Sequence, residues 1–516
     1  MTAMTTVPVG ISPLTEADVI AVARGGARVE LTEKSLAAIA QSRSIVMALA
    51  DDPEPHYGIS TGFGALATKH IPADRRAQLQ RSLIRSHAAG SGPEVEREVI
   101  RAMMLLRLST LATGRTGVQV DTARTMAGLL NAGITPVVRE FGSLGCSGDL
   151  APLAHVALAL LGEGEVRDAD GTLRPAAEAL TEAGITPIVL AEKEGLALIN
   201  GTDGMLGQLL LACTDFHQLL RTADLTAAMS VEAMLGTTRV FAADLQVLRP
   251  QPGQAVAAAN MRTLLAGSPI VASHAGPDCT YVQDAYSMRC APQVAGAGRD
   301  TLVHARTVAE YELASAIDNP VVTYDGRVES NGNFHGAPIG YVLDFLAIAA
   351  ADLASISERR TDRLLDVARS RGLPAFLTDD AGVDSGHMIA QYTQAAIVSE
   401  LKRLAMPASV DSIPSSAMQE DHVSMGWSAA RKLRRSLDGL RRVLAIELLS
   451  AARALDLRRP LQPAPATAAV VAALREQVPG PGPDRFLAPE IEASYQFVAS
   501  GAGLAAAESQ LGGPLD

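Results

Sequence analysis

The chain has 516 residues, 48% hydrophobic and only 3% aromatic, with a formal net charge of −12. Acidic and basic residues are mixed along it without a basic block, which argues against nucleic acid as a partner. Its four cysteines, Cys146, Cys213, Cys279 and Cys290, form no CxxC pair and no zinc spacing, so a reducing compartment and no structural metal are expected.

The first twenty residues show no positive segment followed by an apolar one, so no secretory leader is expected. Residues 14–50 alternate short helical segments with a GGARVEL turn and strand. Residues 53–70, PEPHYGISTGFGALATKH, are glycine-rich, polar and loop-like. Helices are predicted over 73–90, 94–112 and 119–132, the last stopped by Asn131 and Gly133. Residues 134–149 read as loop and short strand, a helix opens near Pro152, and 169–180 reads as a turn leading into a short helix. Long helical patterns then cover 203–235, 297–316, 338–366, 386–405 and 416–456, joined by loops rich in Gly, Pro, Asn and Ser. Such a pattern predicts a mainly α fold with a central bundle. The most apolar run, 338–354, is interrupted by Asp344 and Asp352 and is short for a membrane span, so it reads as a buried core helix. PGPGPD at 479–484 is linker-like. The expected organisation is an N-terminal domain over 1–202, a helical bundle over 203–456, and a C-terminal helical extension over 457–516 that carries no motif.

Residues 142–149 read GSLGCSGD. A G-x-S-x-G nucleophile elbow fails by one residue, because Asp149 follows Gly148, and the chain lacks the alternating strands and helices of that fold. A reactive thiol at Cys146 would need a base and an electropositive pocket. A plain glycine turn ahead of a helix also fits the spacing. A further possibility is chemical. Glycine has no side chain, so the Gly148 nitrogen can approach the Cys146 carbonyl carbon two residues back. Attack closes a five-membered ring, and loss of water, including the Ser147 hydroxyl, leaves an exocyclic methylene. That carbon is an electrophile no ordinary side chain offers. Cys146 contributes only its backbone.

Eight stretches carry a family resemblance: YGISTGFG, SHAAG, GSLGCSGDLAPLAH, EGLALINGT, VQDAYSMRC, DNP, NGNFHGAP and SSAMQEDHVSMG. They stand in the order expected of histidine ammonia-lyases, and the chain resembles that family from about residue 14 to 456. The resemblance implies a mainly α, fumarase/aspartase-like architecture whose N-terminal domain carries the triplet loop. It implies a 4-methylidene-imidazol-5-one (MIO) group built from Cys146, Ser147 and Gly148, with no metal or diffusible cofactor. It implies a cytoplasmic homotetramer with shared sites, no membrane association, and L-histidine as substrate, released as trans-urocanate and ammonia. Phenylalanine or tyrosine ammonia-lyase, or a 2,3-aminomutase, is the alternative on the same fold.

By resemblance, Tyr57 takes the substrate β-proton. A phenol of ordinary pKa about 10 does this only where cations or hydrogen-bond donors favour phenolate. Tyr286 lies near the prosthetic group, and Gln283 is a polar contact in the same loop. Arg289 holds the substrate carboxylate, for which a planar guanidinium is suited. Ala285 stands where the family usually has proline. Asn200 bonds near the triplet, Asn319 helps place the carboxylate, and Phe334 lines the pocket. Taken singly, these residues equally fit loop anchors, surface charges, turn residues and core packing. Ser86 and His87 occupy the positions where the family sorts substrates, and a histidine there can bond an imidazole. SSAMQEDH reads as a helix start capped by Ser416 with Gln419 three residues on, which puts Glu420 in a first turn. In the family the matching glutamate contacts the imidazole. No HxxxH occurs, and His155, His335 and His422 read as structural.

Overall fold

A computed structural model describes residues 5–516 apart from 63, 65, 66, 277, 278, 280 and 281, so Phe63 of the glycine-rich motif lies outside the described residues. The chain packs as two compact units, each discontinuous in sequence. The fold is mainly α, with long helices and, among the described residues, four small sheets.

The first unit comprises Met1–Leu211, Ala305–Asp344 and Pro407–Arg431. At its centre is the helix Arg97–Ala112, in which almost every side chain is buried, Arg101 and Arg107 included. Its all-round burial follows from neighbours on several sides: the helices Glu16–Ala23, Glu33–Ala50 and Val120–Ala132 pack against it. Val120–Ala132 ends as its stop signals predict, with Gly133 at φ 71 and its amide on the Leu129 and Leu130 carbonyls. Short strands pin the loops. Thr6–Val9 runs parallel to Arg28–Leu31, and Ser91–Glu94 runs antiparallel to Arg139–Phe141. The helix Leu150–Leu160, which follows the triplet, packs against Arg76–His87 and Glu194–Ile199. Those two helices end at His87 and lead into Asn200, so local chain direction brings both positions towards the triplet's helix.

The second unit comprises Ala212–His304, Phe345–Met406 and Lys432–Asp516. Its interior holds Glu447, fully buried, which accepts hydrogen bonds from Thr226 (2.9 Å), Ser230 (2.8 Å), Ser357 (2.6 Å) and Arg360 (2.5 Å). A buried carboxylate is tolerated because its lone pairs are all used. PGPGPD is not a free linker: Arg453 donates to the Gly482 carbonyl at 3.0 Å, and Asp484 accepts from the Ser385 and Gly386 amides at 2.6 and 2.9 Å. Ala337–Leu365 is long and apolar enough to cross a membrane by length and composition, with a mean hydropathy of 1.7. Of its most apolar window 61% is buried within the chain, as in a core helix.

The expected helix start at Ser416 is absent. Ser416, Ala417 and Met418 have φ of 50, 54 and 71°, and Ser415 makes no side-chain cap. Three consecutive left-handed residues cannot enter a right-handed helix. The Ser415 amide instead donates to the Glu420 carbonyl at 3.0 Å, closing a turn, and the long helix begins at Gly426.

Candidate active site

Cys146 and Ser147 form the tip of a two-residue turn. Gly145 and Gly148 pair across it, and Gly148 also bridges Gly201. Gly145, Ser147 and Gly148 have φ of 84, 51 and 82°, a left-handed path that glycine adopts freely and serine does not. A Cβ on Gly148 would lie 2.1 Å from the Gly201 oxygen, so only glycine fits. The following residue, Asp149, is fully buried. Its amide donates to the Gly201 carbonyl at 2.8 Å, and its carboxyl accepts from Met205 N at 2.9 Å and Ser143 Oγ at 2.9 Å. Burial pushes that carboxyl up to about 7, against the pull of these donors.

Cys146 Sγ lies 3.1 Å from Ser415 Oγ. Burial raises the thiol above its ordinary value, and the nearby Glu420 carboxylate adds to the rise while Ser415 opposes it. The thiol therefore stays protonated, which is the opposite of a reactive cysteine. Glu420 Oε2 is buried without a hydrogen-bond partner among the described residues. The same carboxylate approaches Gly64, where an added Cβ would lie 3.6 Å from Oε1. The Gly64 amide donates to the Tyr57 hydroxyl at 3.3 Å. Tyr57, Glu420 and Cys146 thus converge from three distant stretches of chain.

The electrostatics around Tyr57 differ from those a base requires. Burial raises the phenol first, Glu420 raises it further, and only the Gly64 amide pulls it down. No positive group of the chain among the described residues lowers it.

Asn200 and Asn319 are joined. Asn200 Nδ2 donates to the Asn319 carbonyl at 3.2 Å, and Asn319 Oδ1 accepts from Ser330 Oγ (2.9 Å) and Asn331 N (3.0 Å). Phe334 is half-buried in the loop that follows. His335, beside it, stacks on His422 with ring centroids 5.7 Å apart. His155 accepts from the Gly90 amide at 3.0 Å, which is a structural contact.

His87 closes the helix Arg76–His87. Its Nδ1 lies 2.9 Å from the Leu83 carbonyl, so Nδ1 carries the proton and Nε2 keeps a lone pair. Ser86 Oγ, 3.1 Å from the same nitrogen, steadies the ring. Burial lowers the imidazole pKa, keeping it neutral.

Gln283, Tyr286 and Arg289 belong to the second unit. The short helix Tyr286–Arg289 puts the Arg289 guanidinium 4.6 Å from the Tyr286 ring centre. Asp284 anchors this loop, accepting from Thr237 N and Arg371, both at 2.7 Å. Gln283 and Tyr286 are exposed, and Arg289 Nε is buried without a hydrogen bond among the described residues.

The aromatic amino acid lyase family model matches residues 14–476. The chain belongs to this family. A histidine ammonia-lyase from Streptomyces avermitilis is 66% identical over 513 residues, covering 99% of this chain and 100% of that one. Among solved structures, tyrosine aminomutase from Streptomyces globisporus matches with a TM-score of 0.93 and 39% identity, covering 99% of this chain and 100% of that one. Histidine ammonia-lyase from Trypanosoma cruzi matches with a TM-score of 0.90 and 38% identity, covering 98% of this chain and 96% of that one. The triplet's geometry fits the group that aromatic amino acid lyases of this kind build. The turn folds Gly148 back against Gly145, and the missing Cβ lets Gly148 sit directly against the Gly201 backbone, a tight turn that ring closure between Gly148 N and the Cys146 carbonyl carbon would need.

Sequence reasoning alone misses several residues that complete this region. Gly64 as the donor to Tyr57 lies within YGISTGFG but looks like any other loop glycine there, and Ser415 as the partner of Cys146 acts through a contact outside its own motif. Asp149 is adjacent to the triplet, and that adjacency is the one signal that marks it.

Proposed function

We propose that this protein is a histidine ammonia-lyase, which converts L-histidine to trans-urocanate and ammonia. Two observations carry the choice of substrate: His87 is neutral with its Nε2 lone pair unused among the described residues, and Glu420 has a buried Oε2 that lacks a partner among them. Both are acceptors, so an imidazolium ring can donate one N–H to each, whereas a phenol has a single O–H to offer and a phenyl none. Two Streptomyces relatives, each 66% identical over its whole length, are histidine ammonia-lyases. The aminomutase likeness concerns a protein 39% identical, and it is the alternative that substrate assays separate.

Cys146, Ser147 and Gly148 would hold the MIO group, which supplies an electrophilic carbon towards the substrate. Asn200 and Asn319 orient the amino acid beside it, and Arg289 holds the carboxylate with Gln283 and Tyr286 nearby. Tyr57 takes the β-proton at its phenolic oxygen. For that it needs a positive or donating neighbour beyond those in its own unit, because burial and Glu420 both disfavour phenolate. We include in the proposal a cytoplasmic homotetramer with shared sites, in which a neighbouring copy completes the environment of Tyr57. Tyr286, 72% exposed, is then covered on assembly.

Intact-mass measurement tests the triplet: the mature chain should be lighter by two waters, about 36 Da. Ser147→Ala should lose both the mass deficit and the activity. Full activity in that variant, or faster release of cinnamate from phenylalanine than of urocanate from histidine, would overturn the reading.

A further inference from the structure

We propose that Arg107 is a positioning residue that locks Asn200, Gly201 and Asn319 as one rigid backing for the triplet, an inference that rests on the function proposed above. Arg107 sits in the middle of the helix Arg97–Ala112 and is fully buried. A guanidinium is held there only when its donors are used, because an uncompensated buried charge is costly. Nη1 donates to the Asn200 carbonyl at 2.5 Å, and Nη2 donates to the Ile317 carbonyl at 2.8 Å. These two carbonyls belong to chain segments 117 residues apart, the end of Glu194–Ile199 and the loop before Asn319. Asn200 Nδ2 ties the same segments a second time through the Asn319 carbonyl.

Asn319 is clamped on its other side as well. Asp318 Oδ1 accepts from the Asn319 amide at 2.8 Å, while Oδ2 is 2.5 Å from Lys193 Nζ, and Lys193 and Asp318 are both fully buried. Asp203 supplies the fourth charge, so two cations and two anions balance in one buried cluster. Between this cluster and the triplet lies Gly201. A Cβ there would meet Asp203 Oδ2 at 2.3 Å and Arg107 Nη1 at 2.8 Å on the cluster side. On the other side Gly201 bridges Gly148 and accepts from the Asp149 amide. Motion of Asn200 or Gly201 is therefore motion of the wall behind Gly148.

The geometry also separates the roles of these contacts. Arg107 Nε and Asp203 Oδ2 are 3.4 Å apart, and neither makes a hydrogen bond among the described residues. The ion pair balances charge, whereas the two carbonyl bonds set position. Lysine has one compact ammonium and cannot span both carbonyls in the guanidinium's fixed fork.

The test compares Arg107→Lys with Asp203→Asn in the full-length enzyme. The readouts are the two-water mass deficit of the triplet, kcat and KM for histidine, and thermal melting. Arg107→Lys should fold, leave most chains without the mass deficit, and turn over histidine about 100-fold more slowly per matured chain, the loss expected for an ångström-scale misplacement. Asp203→Asn keeps both carbonyl bonds, so it should melt lower yet mature and turn over as the parent does. Normal maturation and turnover in Arg107→Lys overturns the proposal. So does equal loss in the two variants, and so does failure of Arg107→Lys to fold while Asp203→Asn folds, since each points to general stability rather than to placement. A parent chain without the mass deficit would sink the functional reading itself, independently of how the variants compare.

Discussion

Glu420→Gln separates recognition of the substrate from upkeep of the fold. Glutamine keeps the side chain's size, removes the charge, and replaces one acceptor oxygen with a donor. A charge-assisted hydrogen bond is worth about 1.5–3 kcal/mol. Its loss should lower kcat/KM for histidine by about 10- to 150-fold. In the free protein Oε2 is buried with no hydrogen bond among the described residues, so the carboxylate costs the folded state rather than supporting it. The melting temperature should accordingly stay level or rise. The pH profile carries a second sign. Glu420 raises the Tyr57 phenol, and a base must lose its proton, so kcat/KM climbs with pH through that pKa. Removing the negative charge should move the ascending limb to lower pH. Urocanate absorbance followed across pH, with parallel melts, reads all three quantities. An unchanged kcat/KM, or a limb displaced to higher pH, would refute the placing of Glu420 beside both the substrate ring and Tyr57.

Cys146→Ala should keep the two-water mass deficit and substantial turnover, because the ring needs only the Cys146 backbone and the thiol's neutral contact to Ser415 is worth about 0.5–1.5 kcal/mol. Complete loss of turnover would mean that the thiol takes part. Asp149→Asn tests the buried carboxyl. Its folded pKa of about 7 lies above the ordinary 3.8, so its stabilising contribution is present at low pH and fades as pH rises through 7. Asparagine lacks that dependence and can accept from Met205 N while donating to Ser143 Oγ. The variant's unfolding free energy should therefore gain on the parent's by about 3 kcal/mol between about pH 5 and about pH 8. Denaturant titrations at those two pH values measure the difference, and a gain towards low pH would contradict the sign.

Much of this protein is local and therefore legible in the residues alone. The helices at 97–112, 120–132 and 388–404 follow from apolar periodicity and stop signals within a few residues of where they lie. The proposed chemistry of the triplet is equally local, since such a ring closure would involve three consecutive residues and need glycine only for access. What short-range pattern could not supply is burial and long-range contact. SSAMQEDH satisfies a capping pattern, yet the Ser415–Glu420 closure and three left-handed residues make it a turn. Tyr57 carries no mark of the carboxylate that opposes its ionisation, because Glu420 is 363 residues away in the chain. Arg107 looks like a surface charge in LLRLST, and only the packing of several segments around one helix makes it a buried two-carbonyl clamp. Sequence determines which groups exist and how neighbouring residues can react. The tertiary structure decides which of them lose water, and that loss of solvent sets their charge, their partners and their part in the site.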